Sequence, residues 1–523
     1  MDFRDKLRGS LSSDLPASLV VFLVALPLCL GIALGSNAPN LFAGLIAGVI
    51  GGIVVGSISG SQLSVSGPAA GLTLIVASAI ADLHAYEAFL LAVVLAGVIQ
   101  ILLGKLKAGF LGDFVPVSVI KGMLAAIGIM LILKQIPHLL GSDADYMGDE
   151  EFSQPDHKNT FTELWDAVNH ITPSTFFIGL IGIAILVLWD TKFFKNHKIL
   201  SLLPGSLVVV VTGIVIQQIY INFAPDYAVR SEHMVAIPVA GSFTEFKTFF
   251  RTPDIKFLSN LNVWITAGTI ALVASLESLL SLEASDKLDP YKRLSPPNRE
   301  LVAQGVGNIL SGLLGGLPVT AVIVRSSANI TAGGKTKLSA ILHGVLLLVC
   351  VVFIPDILNM IPYSALAAVL IFVGFKLAKP TVFKEVYLRG WPQFVPFIVT
   401  IGAIVVTDLL KGIFVGIAIA LFYLIRSNYK QAVLVVNDGS NYLMRFRSEV
   451  SFLNKSFVRN WLEKIPAGSH VLIDASNSYY IDNDIIQDVH DFLEHAHLKE
   501  IRVEFKKPKN GIDHFKQSNG ADL

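Results

Sequence analysis

Long apolar runs, separated by short polar segments, recur along most of the chain. A bilayer core about 30 Å thick is crossed by about 20 helical residues, and the sequence holds about fourteen candidate runs. In the first half they are 15–35, 39–57, 67–82, 86–104, 115–136, 173–190 and 200–221. In the second half they are 262–285, 298–314, 320–332, 337–355, 361–377, 392–409 and 411–426. The pattern predicts an all-α multi-pass membrane protein.

The pattern changes after Arg426, where strand-like and helix-like stretches alternate in a more polar sequence. The strand-like stretches are AVLVV at 432–436, YLMRF at 442–446, SHVLIDAS at 469–476 and IRVEF at 501–505, and the clearest helix is 485–497. Such alternation is typical of a small α/β domain. The predicted organisation is therefore a segment at 1–14, a transmembrane domain at 15–428 and a cytoplasmic domain at 430–523.

Composition and charge narrow the class of protein. Hydrophobic residues make up 53% of the chain and charged residues only 15%, against roughly 25% charged in soluble proteins. Lys+Arg and Asp+Glu are equal at 40 each, which argues against a nucleic-acid binder. Cys29 and Cys350 lie in apolar runs as expected of buried side chains. No zinc motif or nucleophile–base pair appears, so neither a metal site nor an enzyme is predicted.

The distribution of charge predicts the topology. If the N-terminus is inside, the inside segments carry these basic residues: Arg4, Lys6, Arg8, Lys105, Lys107, Lys192, Lys195, Lys198, Lys287, Lys292, Arg293, Arg299, Lys376, Lys379, Lys384 and Arg389. The outside segment 139–172 carries these acidic residues: Asp143, Asp145, Asp149, Glu150, Glu151 and Asp156. The positive-inside rule therefore places both termini in the cytoplasm, and we expect the chain to lie in the cell (inner) membrane.

Two of the predicted spans are interrupted by glycine and proline. Span three is entered through GSQLSVSGPAAG, where Ser64–Ser66 is expected to be extended and Gly67-Pro68 to begin a helix. Span ten is entered through GGLPVTAVIVRSS, where an extended piece after Pro318 is expected to lead into a helix beginning near Val324-Arg325. Broken helices at corresponding places in two halves are typical of transporter binding sites. The alternative at each place is an ordinary kink.

The breaks fall in the third span of each group of seven. An odd number of spans per half inverts one half relative to the other, so the two helix starts should face each other near mid-membrane. Each start offers unpaired backbone N–H groups and a positive dipole end, which favour an anion. The sequence thus predicts an anion site between the two helix starts.

Two ionisable residues lie within spans near this predicted site. Glu277 is in the middle of span eight, and Ser281 shares its helix face four residues on. A carboxylate beside an anion site requires a compensating cation, so Glu277 and Ser281 are predicted to bind Na⁺ or H⁺. Arg325 could attract the anion. The alternatives are a buried neutral glutamic acid, and an Arg325–Glu277 ion pair that serves packing only.

Several stretches resemble one family of anion transporters. They are DLPASLVVFLVALPLCLGIALG at 14–35, SVSGPAAG at 64–71, FVPVSVIKGMLAAIG at 114–128, LPGSLVVVVTG at 203–213, LESLLSLEASD at 276–286, GGLPVTAVIVRSSANITAGGKTKLSAIL at 315–342, IPYSALAAVLIFVGFKL at 361–377 and VTDLLKGIFVGIAIAL at 406–421. These stretches resemble the SulP (sulfate permease) family, which includes prestin and pendrin. The stretch VLIDASNSYYIDNDIIQDV at 471–489 resembles the family's STAS domain.

This resemblance implies a fold and a set of site residues. It implies an inverted seven-plus-seven repeat, about 15–221 and 262–426, with core and gate domains, an elevator-like motion and homodimers. It places Glu277 at the family's acidic position, with Ser281 beside it, as the coupling-ion site. The substrate-binding positions it implies are Ala69, Ala70, Gly71, Thr320, Ile323, Val324 and Arg325.

The chain departs from the family pattern at three places. Leu28 follows Pro27 where many members have glutamine, and Thr320 is what remains of a threonine-rich start to span ten. The STAS-like domain is short, and it reads Asp482-Asn483-Asp484 where phosphorylatable relatives carry serine. This argues against phosphorylation or nucleotide binding there.

The function expected from the sequence is secondary active transport of a small inorganic anion. Bicarbonate is the first choice and sulfate the second, because PLCLG in span one and QLSVSGPAAG in span three resemble members associated with carbonic anhydrases. A carbonic anhydrase is accordingly a candidate partner of the STAS-like domain. No cofactor is expected beyond Na⁺ or H⁺ as coupling ion. The alternatives are a sulfate/proton symporter, an anion exchanger, a channel-like anion protein and a non-transporting membrane scaffold.

Overall fold

The computed structural model describes residues 3–143, 145–147, 152, 159–196, 203–239, 243–447 and 449–507. The first helices are α1 Phe3–Gly35, α2 Phe42–Ile50, α3 Gly56–Ile58, α4 Thr73–Leu83, α5 Tyr86–Lys105, α6 Val117–Leu140, α7 Thr160–Asn169, α8 Pro173–Trp189, α9 Lys192–Asn196, α10 Gly205–Phe223 and α11 Phe243–Thr248. They are followed by α12 Leu261–Leu288, α13 Pro297–Leu314, α14 Ile323–Thr331, α15 Leu338–Phe353, α16 Pro355–Leu358, α17 Tyr363–Leu377, α18 Pro380–Leu388, α19 Trp391–Val406 and α20 Leu409–Gln431. A π-helical turn, Gly51–Val55, joins α2 to α3.

Each of the predicted apolar runs contains a helix, because a chain in lipid must satisfy its backbone groups internally. Within the described residues, seven helices are long and apolar enough to cross a bilayer. A bent pair, Thr160–Asn169 with Pro173–Trp189, turns by 113° and could form one further span. Shorter apolar helices are Phe42–Ile58, Ala70–Leu83, Leu338–Phe353 and Trp391–Val406. The multi-pass helical class is confirmed, and the count of fourteen spans stays a prediction.

Close glycine contacts bring two pairs of long helices together. A Cβ on Gly97 of α5 or Gly305 of α13 would lie 2.5 Å from the carbonyl oxygen of the other glycine. The pair Gly128 of α6 and Gly374 of α17 is arranged in the same way at 2.6 Å. Small residues of this kind let helix backbones approach within a membrane, where van der Waals packing drives association. The Gly97–Gly305 contact holds α13, which borders the candidate site, against α5.

The chain divides by its contacts into two units, Met1–Ile417 and Ala418–Leu523. The second unit contains β3 Val433–Asp438, β4 Asn441–Phe446, β6 His470–Asp474 and β8 Arg502–Lys506 in one sheet of that order, with β3 antiparallel and the others parallel. The remaining elements are β5 Glu449–Val450, β7 Tyr480–Ile481, α21 Lys455–Glu463 and α22 Asn483–His495. The four strand-like stretches and the helix predicted here coincide with β3, β4, β6, β8 and α22. The identification of this unit as a STAS domain stays a prediction.

A buried carboxylate ties together two segments that lie outside the predicted spans. The Asp143 carboxylate contacts His138 at the end of α6. Its Oδ2 also lies 2.5 Å from Nδ1 of His233. The segment after His233 is held in turn by Val235 N, which donates to Ile361 O, and by Asn359, which bonds both backbone groups of Ile237.

Of the charged residues from which the topology was predicted, five lie outside the described residues: Asp149, Glu150, Glu151, Asp156 and Lys198.

The Asp143–His233 pair predicts a pH-dependent stability of this segment. The hydrogen bond to Asp143 raises the pKa of His233. Burial alone would raise the pKa of Asp143, but hydrogen bonds with the two histidines outweigh it and the pKa is lowered. His233 therefore contributes its full stabilisation of this folded segment below its ordinary pKa. That stabilisation is lost as the pH rises through the raised pKa. That of Asp143 is lost only as the pH falls through its lowered value.

We expect His233→Gln to remove the loss of segment stability that wild type shows at alkaline pH. Hydrogen exchange of residues 231–237 should be about fivefold faster in the variant than in wild type at neutral pH, the effect of losing about 1 kcal/mol from one hydrogen bond. The difference should shrink as the pH rises, because deprotonated His233 no longer forms an ion pair with Asp143. A difference that stays constant across the alkaline range would contradict this pH dependence.

Candidate functional site

Two short strands from the two halves of the membrane domain pair with each other. They are β1 Ser66–Pro68 and β2 Val319–Ala321, which run antiparallel with Gly67 opposite Thr320. The prediction that Gly67-Pro68 begins a helix is wrong. These residues stay extended because β2 provides backbone partners there, and Pro68, which has no N–H, needs no donor pairing of its own.

A helix follows each strand. After β1, Ala69 is extended, Ala70–Leu72 form a 3₁₀ turn, and α4 begins at Thr73. After β2, Val322 is extended and α14 begins at Ile323, one residue before the predicted Val324-Arg325 start. Because the strands are antiparallel, the chain leaves the ribbon at opposite ends to enter the two helices. Neither Ala69 nor Val322 provides a side-chain cap, so the first backbone N–H groups are available to another acceptor.

The first helix start lies against the carboxylate of Glu277. A Cβ on Gly71 would be 3.2 Å from Oε1 and 3.5 Å from Oε2 of Glu277. Glu277 is on the buried side of α12, together with Ser281 one turn on, and both are nearly inaccessible to solvent. The structure therefore brings the predicted coupling residue to the predicted anion-binding helix start. A larger residue than glycine at position 71 would crowd the carboxylate.

A cleft of about 580 Å³ leads to this helix start. Ala70 and Gly71 line it, together with Leu74 and Ile75 of α4. Its other walls come from α6, from the end of α19 and from the start of α20, and they include Asp408 and Lys411, whose side chains form an ion pair at 2.8 Å. A small anion in this cleft would meet the backbone at Ala70–Gly71.

Arg325 lies against β1 and is completely buried. Its Nη2 donates to Sγ of Cys29 and to the carbonyl of Pro68, both at 3.3 Å. Nε and Nη1 have no hydrogen-bond partner among the described residues. A Cβ on Gly67 would be 1.8 Å from Nη1, so only glycine leaves room for the guanidinium against β1.

The other predicted substrate-binding residues are buried around the ribbon. Thr320 is fully buried within β2, while Ile323 and Val324, in the first turn of α14, are almost so. Ala69 is also buried, next to the two residues that line the cleft. Of the predicted substrate-binding set, only Ala70 and Gly71 line the cleft. Among the described residues no group of three His, Cys, Asp or Glu side chains is arranged for a metal ion.

A second cleft, of about 350 Å³, lies between α14, α17, α8 and α10, with α1 at its edge. It reaches Ala328, Thr331 and Ala332 in the C-terminal half of α14, and not the helix start at Ile323. Lys376, which lines it, forms an ion pair with Asp190 at 3.1 Å. In the numbering of the predicted spans, the larger cleft is lined by the third and fifth spans of the first half and the sixth and seventh spans of the second. The smaller cleft is lined by the third and fifth spans of the second half and the sixth and seventh spans of the first.

Some residues that shape the site were not predicted from the sequence. Ser278 Oγ accepts from the backbone N–H of Ala321 at 3.2 Å, which ties α12 to β2. Asn308 and Gln304 of α13 bond Val319 and Ser66, respectively. Glu300, Gln304, Asn308 and Ser311 form a polar row at helical spacing within an apolar run. That row was a signal in the sequence, since polar residues in a membrane span usually have a specific partner.

Comparison with known proteins matches these features to one family. The model of the Sulfate permease family matches residues 11–389. The putative sulfate transporter YvdB of Bacillus subtilis is 28% identical over 394 residues, covering 75% of this chain and 69% of that protein. The bicarbonate transporter BicA of Synechocystis is 26% identical over 408 residues, covering 76% of this chain and 67% of that protein.

Solved structures agree on the fold. The overall structure of SLC26A9 superposes with a TM-score of 0.65 at 15% identity, covering 95% of this chain and 84% of that chain. The transmembrane domain of a cyanobacterial bicarbonate transporter BicA gives 0.52 at 24% identity, covering 80% of this chain and 98% of that chain. At these identities the superpositions establish the fold alone.

Proposed function

The chain belongs to the sulfate permease family, and from this membership we propose that it imports bicarbonate, with sulfate as the second candidate, by cation-coupled secondary active transport. The resemblance predicted from the motifs is confirmed at the level of the family. The protein is a multi-pass membrane anion transporter and not an enzyme. The particular anion, the coupling ion and the motion are the parts proposed here.

One observation carries the proposal: the larger cleft is lined by Ala70 and Gly71, and Gly71 lies against the buried carboxylate of Glu277. The N–H groups after Ala69 can hold the anion in the cleft, and Glu277 with Ser281 can hold the cation behind Gly71, which lies between the cleft and the carboxylate. A favourably placed helix N-terminus contributes about 1 kcal/mol towards an anion. A cation at Glu277 adds a direct charge interaction, so each ion favours binding of the other.

The charges around the site favour a monovalent anion. Ionised Glu277 and Arg325 contribute opposite charges, and one cation bound with one bicarbonate keeps the loaded site neutral. Sulfate would leave one uncompensated negative charge unless a second cation or a proton joined it. Because a buried unpaired charge costs several kcal/mol, the neutral combination crosses the membrane more easily. BicA, at 26% identity, is named a bicarbonate transporter, and YvdB, at 28%, is named a putative sulfate transporter.

The two clefts support an elevator-like motion. We infer that seven-plus-seven inverted spans place equivalent clefts on opposite sides of the membrane, with both termini cytoplasmic. The larger cleft reaches the helix start at Ala70, whereas the smaller one stops at Ala328–Ala332. A shift of the core, which carries the ribbon, would exchange their access to the site. Assembly as a homodimer, the cytoplasmic STAS-like domain and its carbonic anhydrase partner belong to the same proposal.

Uptake by proteoliposomes tests the proposed substrate and coupling. Purified protein would be given bicarbonate, sulfate and chloride in turn, with an inward Na⁺ gradient, an inward H⁺ gradient or neither. We expect gradient-dependent accumulation of bicarbonate. Sulfate accumulation would establish the second candidate. Flux that runs only down the anion gradient would indicate a channel-like protein. Absence of any anion flux would indicate a non-transporting membrane scaffold. Either result contradicts the proposal.

A further inference from the structure

A row of buried polar side chains runs along one face of α13. Its members are Glu300, Gln304, Asn308 and Ser311, each no more than 1% exposed. Gln304 Nε2 donates to Glu300 Oε1 at 2.7 Å and to Ser66 Oγ of β1 at 2.8 Å. Ser311 Oγ donates to the carbonyl of Leu317, just before β2, at 2.6 Å. The row therefore contacts the chain on both sides of the ribbon.

Asn308 bonds β2 in the way that a neighbouring strand would. Its Oδ1 accepts from the N–H of Val319 at 2.6 Å, and its Nδ2 donates to the carbonyl of the same residue at 3.0 Å. Nδ2 also donates to Oε1 of Gln100 at 2.7 Å, and Gln100 donates to Ser275 Oγ at 3.3 Å. Ser275 is two residues before Glu277 on α12. Two carboxamides, those of Asn308 and Gln100, thus connect β2 with the helix that carries the proposed coupling residue.

The ribbon needs support of this kind because it is too short to fix its own register. It contains three residue pairs, and one of its residues, Pro68, has no N–H to donate. An isolated two-stranded ribbon is at best marginally stable even when it is longer. Buried polar groups that lose a partner cost more than the bond contributes, so the Asn308 bonds favour one position of β2 strongly.

We propose that Asn308 is a positioning residue, which fixes β2 relative to the helix of Glu277. Because β1 pairs with β2 and leads into Ala70, this also sets the distance between the anion and cation sites. The identity of the anion rests on the proposed function, but the position of β2 does not. Gln304 acts in the same way on β1 through Ser66. Loss of Asn308 should therefore weaken binding of both ions while the helices around the ribbon stay folded.

The chain provides a matched control outside the site. Asn359 accepts from the N–H of Ile237 at 2.6 Å and donates to its carbonyl at 3.1 Å, the same two bonds from the same residue type. Asn308→Ala and Asn359→Ala therefore remove the same pair of backbone bonds, one at the ribbon and one away from it, and Asn308→Ala also removes the bond to Gln100. If either alanine variant fails to fold, Asn308→Asp and Asn359→Asp replace the pair, since aspartate keeps the accepting oxygen and loses the donor.

The first measurement is hydrogen exchange on the full-length protein in lipid nanodiscs without substrate. In Asn308→Ala we expect peptides covering residues 317–322 to exchange about tenfold faster or more, as a lost buried hydrogen bond predicts. In Asn359→Ala the faster exchange should be confined to the region of Ile237. Unchanged exchange at 317–322 in Asn308→Ala would overturn the proposal.

The second measurement is transport kinetics with whichever anion the liposome panel identifies. For Asn308→Ala we expect KM for the anion and the half-saturating cation concentration each to rise about tenfold, with kcat changed less. Asn359→Ala should leave both near wild type. Equal effects of the two variants would mean a general structural role and overturn the positioning role. If wild type transports none of the anions, the proposed function fails, and the exchange measurement alone decides the position of β2.

Discussion

Replacing Ala70 with phenylalanine is expected to abolish anion uptake. Ala70 lines the larger cleft and begins the 3₁₀ turn before α4, whose first N–H groups have no side-chain cap. A ring at this position would occupy the space in which the proposed anion contacts those groups. Exclusion that costs about 3 kcal/mol lowers binding about a hundredfold, so initial uptake in proteoliposomes should fall close to that of protein-free vesicles.

Leu74→Phe is the matched control for this prediction. Leu74 lines the same cleft one helical turn further along α4, and its side chain is exposed. A ring there should narrow the cleft without reaching the helix start, and uptake should fall no more than a few-fold. Expression and thermal stability should be close to wild type for both variants. Wild-type uptake by Ala70→Phe would mean that the anion does not bind at this helix start.

The sequence predicted the membrane fold well because long apolar runs have few alternatives in a bilayer. The runs from 15–35 to 411–426 each contain a helix, and the strand-like stretches after Arg426 form strands. The boundaries of the broken elements were less accurate. Gly67-Pro68 was predicted to begin a helix from proline's preference for the first turn, but pairing with Thr320 and Val319, distant in the sequence, keeps both residues in a strand.

The region of the candidate site was predictable from the sequence but its contacts were not, and the roles of its residues stay predictions. The paired breaks and Glu277 identified the ribbon region, and the structure places Gly71 against the Glu277 carboxylate. Sequence spacing could not show that Cys29 and Pro68 would bond Arg325, because these contacts join three distant segments. Asn308 was overlooked for a similar reason. Its polar row was visible, but its partner, the backbone of Val319, has no signature in the sequence.

The contacts of Arg325 also bear on the electrostatics of coupling. Its guanidinium lies against Gly67, whereas the carboxylate of Glu277 lies against Gly71, four residues further along the chain. The hydrogen bonds of Arg325 to Cys29 and Pro68 hold it on the Gly67 side. Under the proposed function, Arg325 in this position would raise the potential felt by an anion at the helix start, and Glu277 would hold the cation. The two charges can then act on different ions.

Glu277→Gln is expected to abolish cation-driven accumulation of the anion. Glutamine keeps the size of the side chain. It lacks the negative charge that would bind Na⁺ or accept the proton transported together with the anion. The backbone N–H groups after Ala69 remain, so exchange of labelled anion across the membrane should survive. We expect wild type to concentrate the anion against its gradient, and the variant only to equilibrate it, when uptake is measured with imposed Na⁺ and pH gradients.

Ser281→Ala should weaken the apparent cation affinity a few-fold, as expected for one ligand among several.

Glu283→Gln separates this role from a general effect of removing a carboxylate from α12. Glu283 lies six residues after Glu277 on the same helix and is more exposed, and it forms an ion pair with Lys287 at 3.0 Å. Exposed ion pairs contribute about 0–1 kcal/mol, so Glu283→Gln should leave accumulation intact. If both glutamine variants lose accumulation to the same extent, the loss reflects α12 as a whole. If Glu277→Gln still accumulates anion against its gradient, the cation must bind elsewhere, and the carboxylate beside Gly71 then serves only to pack the helix start.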